Sequence, residues 1–170
     1  CRIMSKHKRL RRILRRHEDI PEALQGASMH PVLKRVYANR HINSIDQIDY
    51  SLSRLISFHQ MKGIEAAAEI VANAITSGSN ILIVGDYDAD GATSTALVIR
   101  ALNMFGTNNV DYLVPNRFEY GYGLTPEIVD VATQYSPDLL ITVDNGISSI
   151  EGVKAANAKG MQVVVTDHHL

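Results

Sequence analysis

The chain has 170 residues, of which 45% are hydrophobic and 21% charged, a composition typical of a globular protein with a hydrophobic core. Its single cysteine excludes an internal disulfide framework and a Cys-based zinc site, and it agrees with a reducing, cytoplasmic location. No apolar run approaches the roughly 18 residues of a membrane helix and no signal peptide opens the chain, so the sequence predicts no contact with a membrane.

The net charge of −1 conceals a basic N-terminal arm. Residues 1–16 contain eight Lys and Arg, whereas all 18 acidic residues lie beyond them. Such an arm can bind nucleic acid non-specifically, and it is equally compatible with a solvated terminus. Within it, Leu10, Ile13 and Leu14 fall at helical spacing and predict a short amphipathic helix over residues 8–17.

The segment before residue 79 is predicted to be helical. One short helix is expected after Pro31, and another between Gly63 and Gly78. Ser44 and Gln47 have the spacing of a capping box, which predicts a helix that begins there. The apolar residues expected on one face of that helix are Ile45, Ile48, Leu52, Leu55 and Ile56.

From Asn80 onward, apolar strands alternate with helical patterns. Strands are predicted at 80–85, 110–114, 139–143 and 162–165. Helices are predicted at 92–105, from Thr125 to about Tyr135, and from Ser148 or Ser149 to Gly160. This alternation predicts an α/β fold with a mostly parallel sheet and helices on both faces. We therefore expect a basic arm and helical segment at 1–78, followed by an α/β domain at 79–170.

Acidic residues cluster where the first predicted strand ends. Asp86, Asp88 and Asp90 occupy alternate positions between Gly85 and Gly91. Three carboxylates in a compact loop repel one another unless a cation lies among them, and Mg²⁺ and Mn²⁺ prefer oxygen ligands. A solvated Asp-rich turn is the alternative, but it does not explain why the acids follow a buried strand. The sequence therefore favours a metal site.

Further candidate ligands follow the later strands. The third strand is predicted to end at Asp144, and the fourth at Asp167, His168 and His169. Because the carboxyl ends of parallel strands share one edge, we expect these groups to meet the acidic loop. Taken alone, Asp144 is better explained as a helix cap, and the histidine pair is better explained as partly buried, hydrogen-bonded side chains. Their convergence favours a metal centre, and more than four ligands favour two ions.

Other phosphate chemistries fit the sequence less well. It contains neither a Walker A loop nor the G-x-G-x-x-G spacing of dinucleotide-binding folds. Asp88-Ala89-Asp90-Gly91 resembles the opening motif of haloacid-dehalogenase-type phosphatases. However, Ala92 stands where those enzymes have Thr or Val, and they have no use for a histidine pair on a later strand.

The motifs together resemble the DHH phosphoesterase family, and within it the bacterial 5′-to-3′ exonucleases specific for single-stranded DNA. The matching segments are 84–94 (VGDYDADGATS), 114–119 (VPNRFE), 121–124 (GYGL), 142–147 (TVDNGI) and 166–170 (TDHHL). The resemblance implies a phosphodiesterase that uses two Mn²⁺ or Mg²⁺ ions on single-stranded DNA in repair and recombination. It also implies single-strand-binding protein and a helicase as partners.

The resemblance assigns roles by position. The metal ligands would be Asp86, Asp88, Asp90, Asp144 and His168. Asp144 would bridge the two ions, His169 would contact the scissile phosphate, and Asp167 would orient its neighbours. Many members have a histidine at the position of Val84, so Asp86 is the expected substitute ligand here.

The loop after the second strand is expected to bind substrate. Asn116 and Arg117 lie there, with Arg117 placed to clamp a phosphate. Tyr120 or Tyr122 would stack on a base, and Tyr122 is preferred. A purely structural turn is the alternative for this loop.

The family resemblance implies a further metal-binding Asp and nucleic-acid-binding domains beyond Leu170. We therefore expect an N-terminal fragment with weak or no nuclease activity on its own. Two other functions stay open: a DHH phosphoesterase for short oligonucleotides, cyclic dinucleotides or pyrophosphate, and a non-enzymatic nucleic-acid-binding module. The long helical segment before the first strand favours the exonuclease.

Overall fold

The structure is a computed structural model that describes residues 19–169. The chain divides into two compact units, with the division between Ser57 and Phe58. The helix predicted over residues 8–17 lies outside the described residues. Within residues 19–169, no helix combines the length and apolar character that a membrane crossing requires.

The described part of the first unit, from residue 19 to residue 57, contains two short helices, α1 (Glu22–Gln25) and α2 (Pro31–Ala38). Helix α2 confirms the prediction of a helix after Pro31. It begins where His30 Nδ1 accepts a hydrogen bond from the Val32 amide at 3.2 Å.

The prediction of one helix from residue 45 to residue 56 is wrong beyond the first turn. Two separate 3₁₀ turns, Ile45–Ile48 and Leu52–Arg54, occupy this stretch. Gln47 forms its half of the capping box, since its side chain accepts from the Ser44 amide at 3.2 Å. Asp49 then interrupts the helix, because its carboxylate accepts from the Ser51 amide at 3.0 Å and holds the backbone extended.

The second unit begins with a 3₁₀ turn at Phe58–Gln60 and helix α3 (Ile64–Ser77), which lies between Gly63 and Gly78 as predicted. The remaining elements are β1 (Ile81–Val84), α4 (Ala89–Met104), β2 (Val110–Leu113), α5 (Arg117–Tyr120), α6 (Pro126–Ala132), β3 (Leu139–Val143), α7 (Ile150–Ala158) and β4 (Gln162–Thr166). A 3₁₀ turn at Thr133–Tyr135 continues α6.

The four strands form one parallel sheet in the order β2-β1-β3-β4. Val84, the last residue of β1, is level with Leu113 of β2 and Thr142 of β3. The chain passes from β1 to β2 on one side and later to β3 on the other, so the strand order reverses between β1 and β3. In open α/β sheets a ligand binds outside the strand ends at such a point.

Helices cover both faces of the sheet. On one face Leu82, Val84 and Leu140 pack in a core cluster with Ile128 and Val129 of α6. On the other face the core joins alternate strand residues to α3 and α4; its buried members are Ala74, Ile81, Ile83, Leu102, Leu139, Ile141, Val143 and Val164. Burial on both faces explains the nearly continuous apolar runs of the central strands β1 and β3, and the predicted fold class is confirmed.

Helix α4 begins at Ala89 rather than at the predicted Ala92. Asp88 caps it, because its Oδ1 accepts from the Gly91 amide at 3.1 Å. Asp90 therefore lies in the first turn of a helix and not in a loop. Helix α3 belongs to the second unit, together with the sheet. The sequence instead assigns this helix to the N-terminal segment 1–78. The predicted domain boundary between residues 78 and 79 stays a prediction.

Candidate metal centre

The first group of acids follows β1 at the point where the strand order reverses. Asp86 is buried, with 6% of its surface exposed, and Asp88 is the N-cap of α4. Gly91 permits this tight connection, since a Cβ there would lie 2.4 Å from the carbonyl oxygen of Asp86. The glycine therefore brings the N-terminus of α4 against the backbone of Asp86, in the acidic segment 86–90.

The second element is the buried Asp144, which follows β3. Its backbone is left-handed, with φ 63°, a conformation that Asp and Asn tolerate better than most residues. The Tyr122 hydroxyl donates to the carbonyl oxygen of Asp144 at 3.1 Å. Ser149, and not Asp144, holds the N-cap position of α7. The explanation of Asp144 as a helix cap is therefore wrong.

The third element follows β4. His168 Nε2 lies 2.9 Å from Asp144 Oδ1, so the two predicted ligands are in contact. The Asp167 side chain is almost fully buried, and its Oδ2 accepts from the Ile147 amide at 2.9 Å. Its Oδ1 lies 2.7 Å from His169 Nδ1. Asp167 is thus in contact with the ring of His169, and the orienting role that the resemblance implies for it stays a prediction.

These contacts shift the pKa values of Asp167 and His169 in opposite directions. Burial raises the pKa of Asp167, but hydrogen bonds from the Ile147 and His169 amides and the His169 ring outweigh it and lower the pKa overall. The hydrogen bond to Asp167 raises the pKa of His169 despite partial desolvation. The pair therefore favours an ionised carboxylate beside a protonated imidazole.

The ligand atoms fall into two groups that share Asp144. One group is Asp86, Asp88 and Asp144, and the other is Asp144, His168 and His169; within each group the atoms lie within 4.8 Å of one another. Carboxylate oxygen and imidazole nitrogen are ligands that suit Mn²⁺ and Mg²⁺ better than a thiophilic metal. The residues present therefore fit the metal centre predicted from the sequence.

Asp90 occupies a different position from the other predicted ligands. It belongs to neither of the two groups found among residues 19–169. It lines an open cleft of about 350 Å³ together with Asp144 and His168. Its predicted role as a direct ligand stays a prediction.

Arg117 lies at the same edge and is paired with two of the acids, while its expected role in clamping a phosphate stays a prediction. Its Nε donates to Asp86 Oδ1 at 2.8 Å, and its Nη2 donates to Asp86 Oδ2 at 2.5 Å and to Asp88 Oδ2 at 3.1 Å. The hydrogen bond to Asp86 raises the pKa of Arg117, and the Gly91 amide, with help from Arg117, lowers the pKa of Asp88. The sequence indicated the shared edge but not this pairing.

Two further predicted substrate residues have structural contacts. Asn116 Oδ1 accepts from the Phe118 amide at 3.0 Å and caps α5. The Tyr122 hydroxyl lies 3.0 Å from His169 Nδ1, and the Tyr122 ring meets the His169 ring edge-on. Burial and the nearby charge of Asp167 raise the pKa of Tyr122. Their roles in substrate binding stay predictions.

Comparison with known proteins gives a consistent result. Residues 80–170 match the family model described as "DHH family, N-terminal domain". The single-stranded-DNA-specific exonuclease RecJ of Escherichia coli (strain K12) is 50% identical over 157 residues, which is 92% of this chain and 27% of the relative. The chain thus spans about a quarter of the length of that relative.

Two solved structures are similar in fold. Exonuclease RecJ bound to manganese matches with a TM-score of 0.61 and 37% identity, over 68% of this chain and 30% of the other. RecJ from Thermus thermophilus in complex with Mn²⁺ matches with a TM-score of 0.58 and 31% identity, over 87% of this chain and 20% of the other. Both similarities agree with the parallel sheet described above.

Proposed function

Because the chain belongs to the DHH family, we propose that its metal centre hydrolyses phosphodiester bonds of single-stranded DNA, as part of a 5′-to-3′ exonuclease. The observation that carries this proposal is the convergence of Asp86, Asp88, Asp144 and His168 at one sheet edge, with Asp144 common to two ligand groups. The similarity to RecJ extends over 92% of the chain. It therefore includes the helical segment before the family match, which favours the exonuclease over more compact phosphoesterases.

Asp86, Asp88 and Asp144 would hold one Mn²⁺ or Mg²⁺ ion, and Asp144 with His168 would hold a second. The ions would supply charge that activates water and stabilises a leaving oxygen. Asp90 lines the same cleft and would act there through its charge or as an additional ligand. Asp144 would contribute most to metal binding, because both ligand groups include its carboxylate.

His169 is the residue that we assign to the scissile phosphate. The hydrogen bond to Asp167 raises its pKa and so favours the imidazolium, a donor that would suit a phosphate oxygen. Asp167 and Tyr122 both contact its Nδ1, which leaves Nε2 free of these two partners. Tyr122 and Asp167 are thus positioning residues for His169, and the partly exposed Tyr122 ring remains the candidate surface for a base.

The wider setting follows from this proposed activity. A single-strand exonuclease in DNA repair and recombination would act in the cytoplasm on DNA exposed by a helicase and covered by single-strand-binding protein. We propose these as partners. Arg117 and Asn116 would contribute to the phosphate side of the cleft.

A chimera tests the proposal directly. In it, this chain replaces the matching segment of the E. coli relative. The readout is the Mn²⁺-dependent shortening of 3′-labelled single-stranded DNA as nucleotides are removed from its 5′ end. We expect digestion of the single strand, little digestion of a blunt duplex, and loss of digestion in the Asp144→Ala chimera.

The same assay separates the competing functions. Cleavage confined to dinucleotides or short oligonucleotides would favour another DHH phosphoesterase. Unchanged turnover in the Asp144→Ala chimera would contradict the proposed role of the shared carboxylate. Binding of DNA without any hydrolysis would favour a binding module.

A further inference from the structure

Arg117 forms the most extensive charged contact at the candidate metal centre. It donates to both oxygens of Asp86 and to one oxygen of Asp88. The Asp86 side chain is 7% exposed, whereas the Arg117 side chain is 40% exposed. The buried partner of this ion pair is therefore the acid, and the guanidinium reaches it from the solvent side.

Asp86 and Asp88 need a positive neighbour, because with Asp144 they form a cluster of three carboxylates. A buried carboxylate without a counter-charge is costly, and like charges nearby increase that cost. Among the described Lys and Arg residues, Arg117 is the only one that forms an ion pair with any of the three. In the protein alone it supplies a permanent positive charge beside Asp86 and Asp88.

The same carboxylate oxygens are the ligands that the first metal ion would use. We propose that Arg117 is a resident counter-cation of the metal site, which a divalent ion displaces when it binds to Asp86 and Asp88. The inference rests on the proposed metal centre. It adds that metal affinity is set by a competition between the ion and Arg117.

The surroundings of Arg117 permit this exchange. Residue 117 opens the four-residue helix α5, between the Asn116 cap and Gly121, which has φ 76°. It lies outside the β-strands, and its guanidinium stands 5.6 Å from the centre of the exposed Tyr122 ring. The side chain can therefore leave the acids without breaking the sheet.

The competition implies an order of binding. While Arg117 is paired with Asp86 and Asp88, its donors are engaged and its charge is offset. Once a divalent ion takes over the carboxylates, the guanidinium is free to bind a phosphate at the same edge. Metal binding should therefore precede and strengthen phosphate binding, and by linkage phosphate should strengthen metal binding equally.

The test is Mn²⁺ affinity of the 170-residue chain, measured as free Mn²⁺ by electron paramagnetic resonance. Arg117→Gln keeps a polar side chain but removes the charge, and Arg117→Lys keeps the charge but loses the planar fork. Arg100→Ala is the matched control, since it removes an exposed arginine of α4 that has no ion pair among the described residues. We expect about tenfold tighter Mn²⁺ binding in Arg117→Gln, a smaller gain in Arg117→Lys, and less than about twofold change in the control.

Thermal unfolding provides a second readout. Without metal, Arg117→Gln should unfold at a lower temperature than the wild type, and saturating Mn²⁺ should raise its unfolding temperature by more. An Mn²⁺ affinity of Arg117→Gln that equals or falls below that of the wild type would overturn the inference and leave the metal centre intact. Absence of Mn²⁺ binding in every variant would overturn the metal centre as well.

Discussion

The side-chain amide of Asn145 donates a hydrogen bond to the carbonyl oxygen of Val84 at 3.1 Å. The same amide nitrogen donates to the carbonyl oxygen of Val143 at 2.9 Å. Asn145 is buried and therefore ties the ends of β1 and β3 together where the strand order reverses. Since Asp86 follows one strand and Asp144 the other, this residue helps to set the separation of the two acids.

We predict that Asn145→Ala destabilises the protein by about 2 kcal/mol, because two strand carbonyls lose their buried donor. Mn²⁺ binding should weaken as well, since the strand ends are no longer tied. Urea unfolding and Mn²⁺ titration measure the two effects. Asn157→Ala on the exposed side of α7 is the control, and equal results for the two variants would contradict the role of Asn145.

Gly91 provides a second test of how the acidic segment is built. A Cβ at this position would lie 2.4 Å from the carbonyl oxygen of Asp86 and 2.7 Å from its Cα, and backbone atoms cannot move aside cheaply. Gly91→Ala should therefore cost about 2 kcal/mol or more of stability and reduce Mn²⁺ affinity. At Gly26 a Cβ meets no atom within 4 Å and φ is −76°, so Gly26→Ala should change stability little. Similar unfolding midpoints for the two variants would refute this account.

Much of the fold was predictable because its strongest signals are local. The strand at Leu139–Val143 and the helix start at Thr125-Pro126 have the expected bounds, since a buried strand is continuously apolar and a capped helix begins with a fixed pattern. The convergence of Asp86, Asp144 and His168 followed from parallel topology alone. Here the sequence pattern and the tertiary structure agree.

The predictions fail where a side chain binds a backbone amide and so changes where a helix begins or ends. They also fail where a side chain pairs with a residue far away in the chain. Asp49 interrupts the helix predicted from residue 45 by binding the Ser51 amide, and Asp88 starts α4 early by binding that of Gly91. The ion pair of Arg117 with Asp86 joins residues 31 apart in the chain. Its geometry depends on the course of α5, which no periodic pattern indicates.

Removal of the Asp144 charge should separate metal binding from folding. Asn tolerates the left-handed backbone of residue 144, and an amide oxygen can retain the contact with His168. We expect the Asp144→Asn chain without metal to be at least as stable as the wild type, because the acid cluster loses one like charge. In the wild type, Mn²⁺ at about 100 times its dissociation constant should add about 2.7 kcal/mol of stability. An equal Mn²⁺-induced rise in the unfolding temperature of Asp144→Asn would contradict the ligand assignment.

Glu127 should make the stability of α6 depend on pH. The backbone amide of Glu127 and the Thr125 hydroxyl, at the start of the helix, lower the pKa of its carboxyl below 4.5. A carboxyl whose pKa is lower in the folded chain stabilises the protein above its ordinary pKa, and this contribution is lost as the pH falls through the folded value. Glu127→Gln should therefore unfold at a lower temperature than the wild type at pH 7, with the difference shrinking as the pH falls below the ordinary pKa of glutamate. Glu151→Gln, in the first turn of α7, is the comparison variant. A difference for Glu127→Gln that stays constant from pH 7 to pH 3 would rule out the charge as its cause.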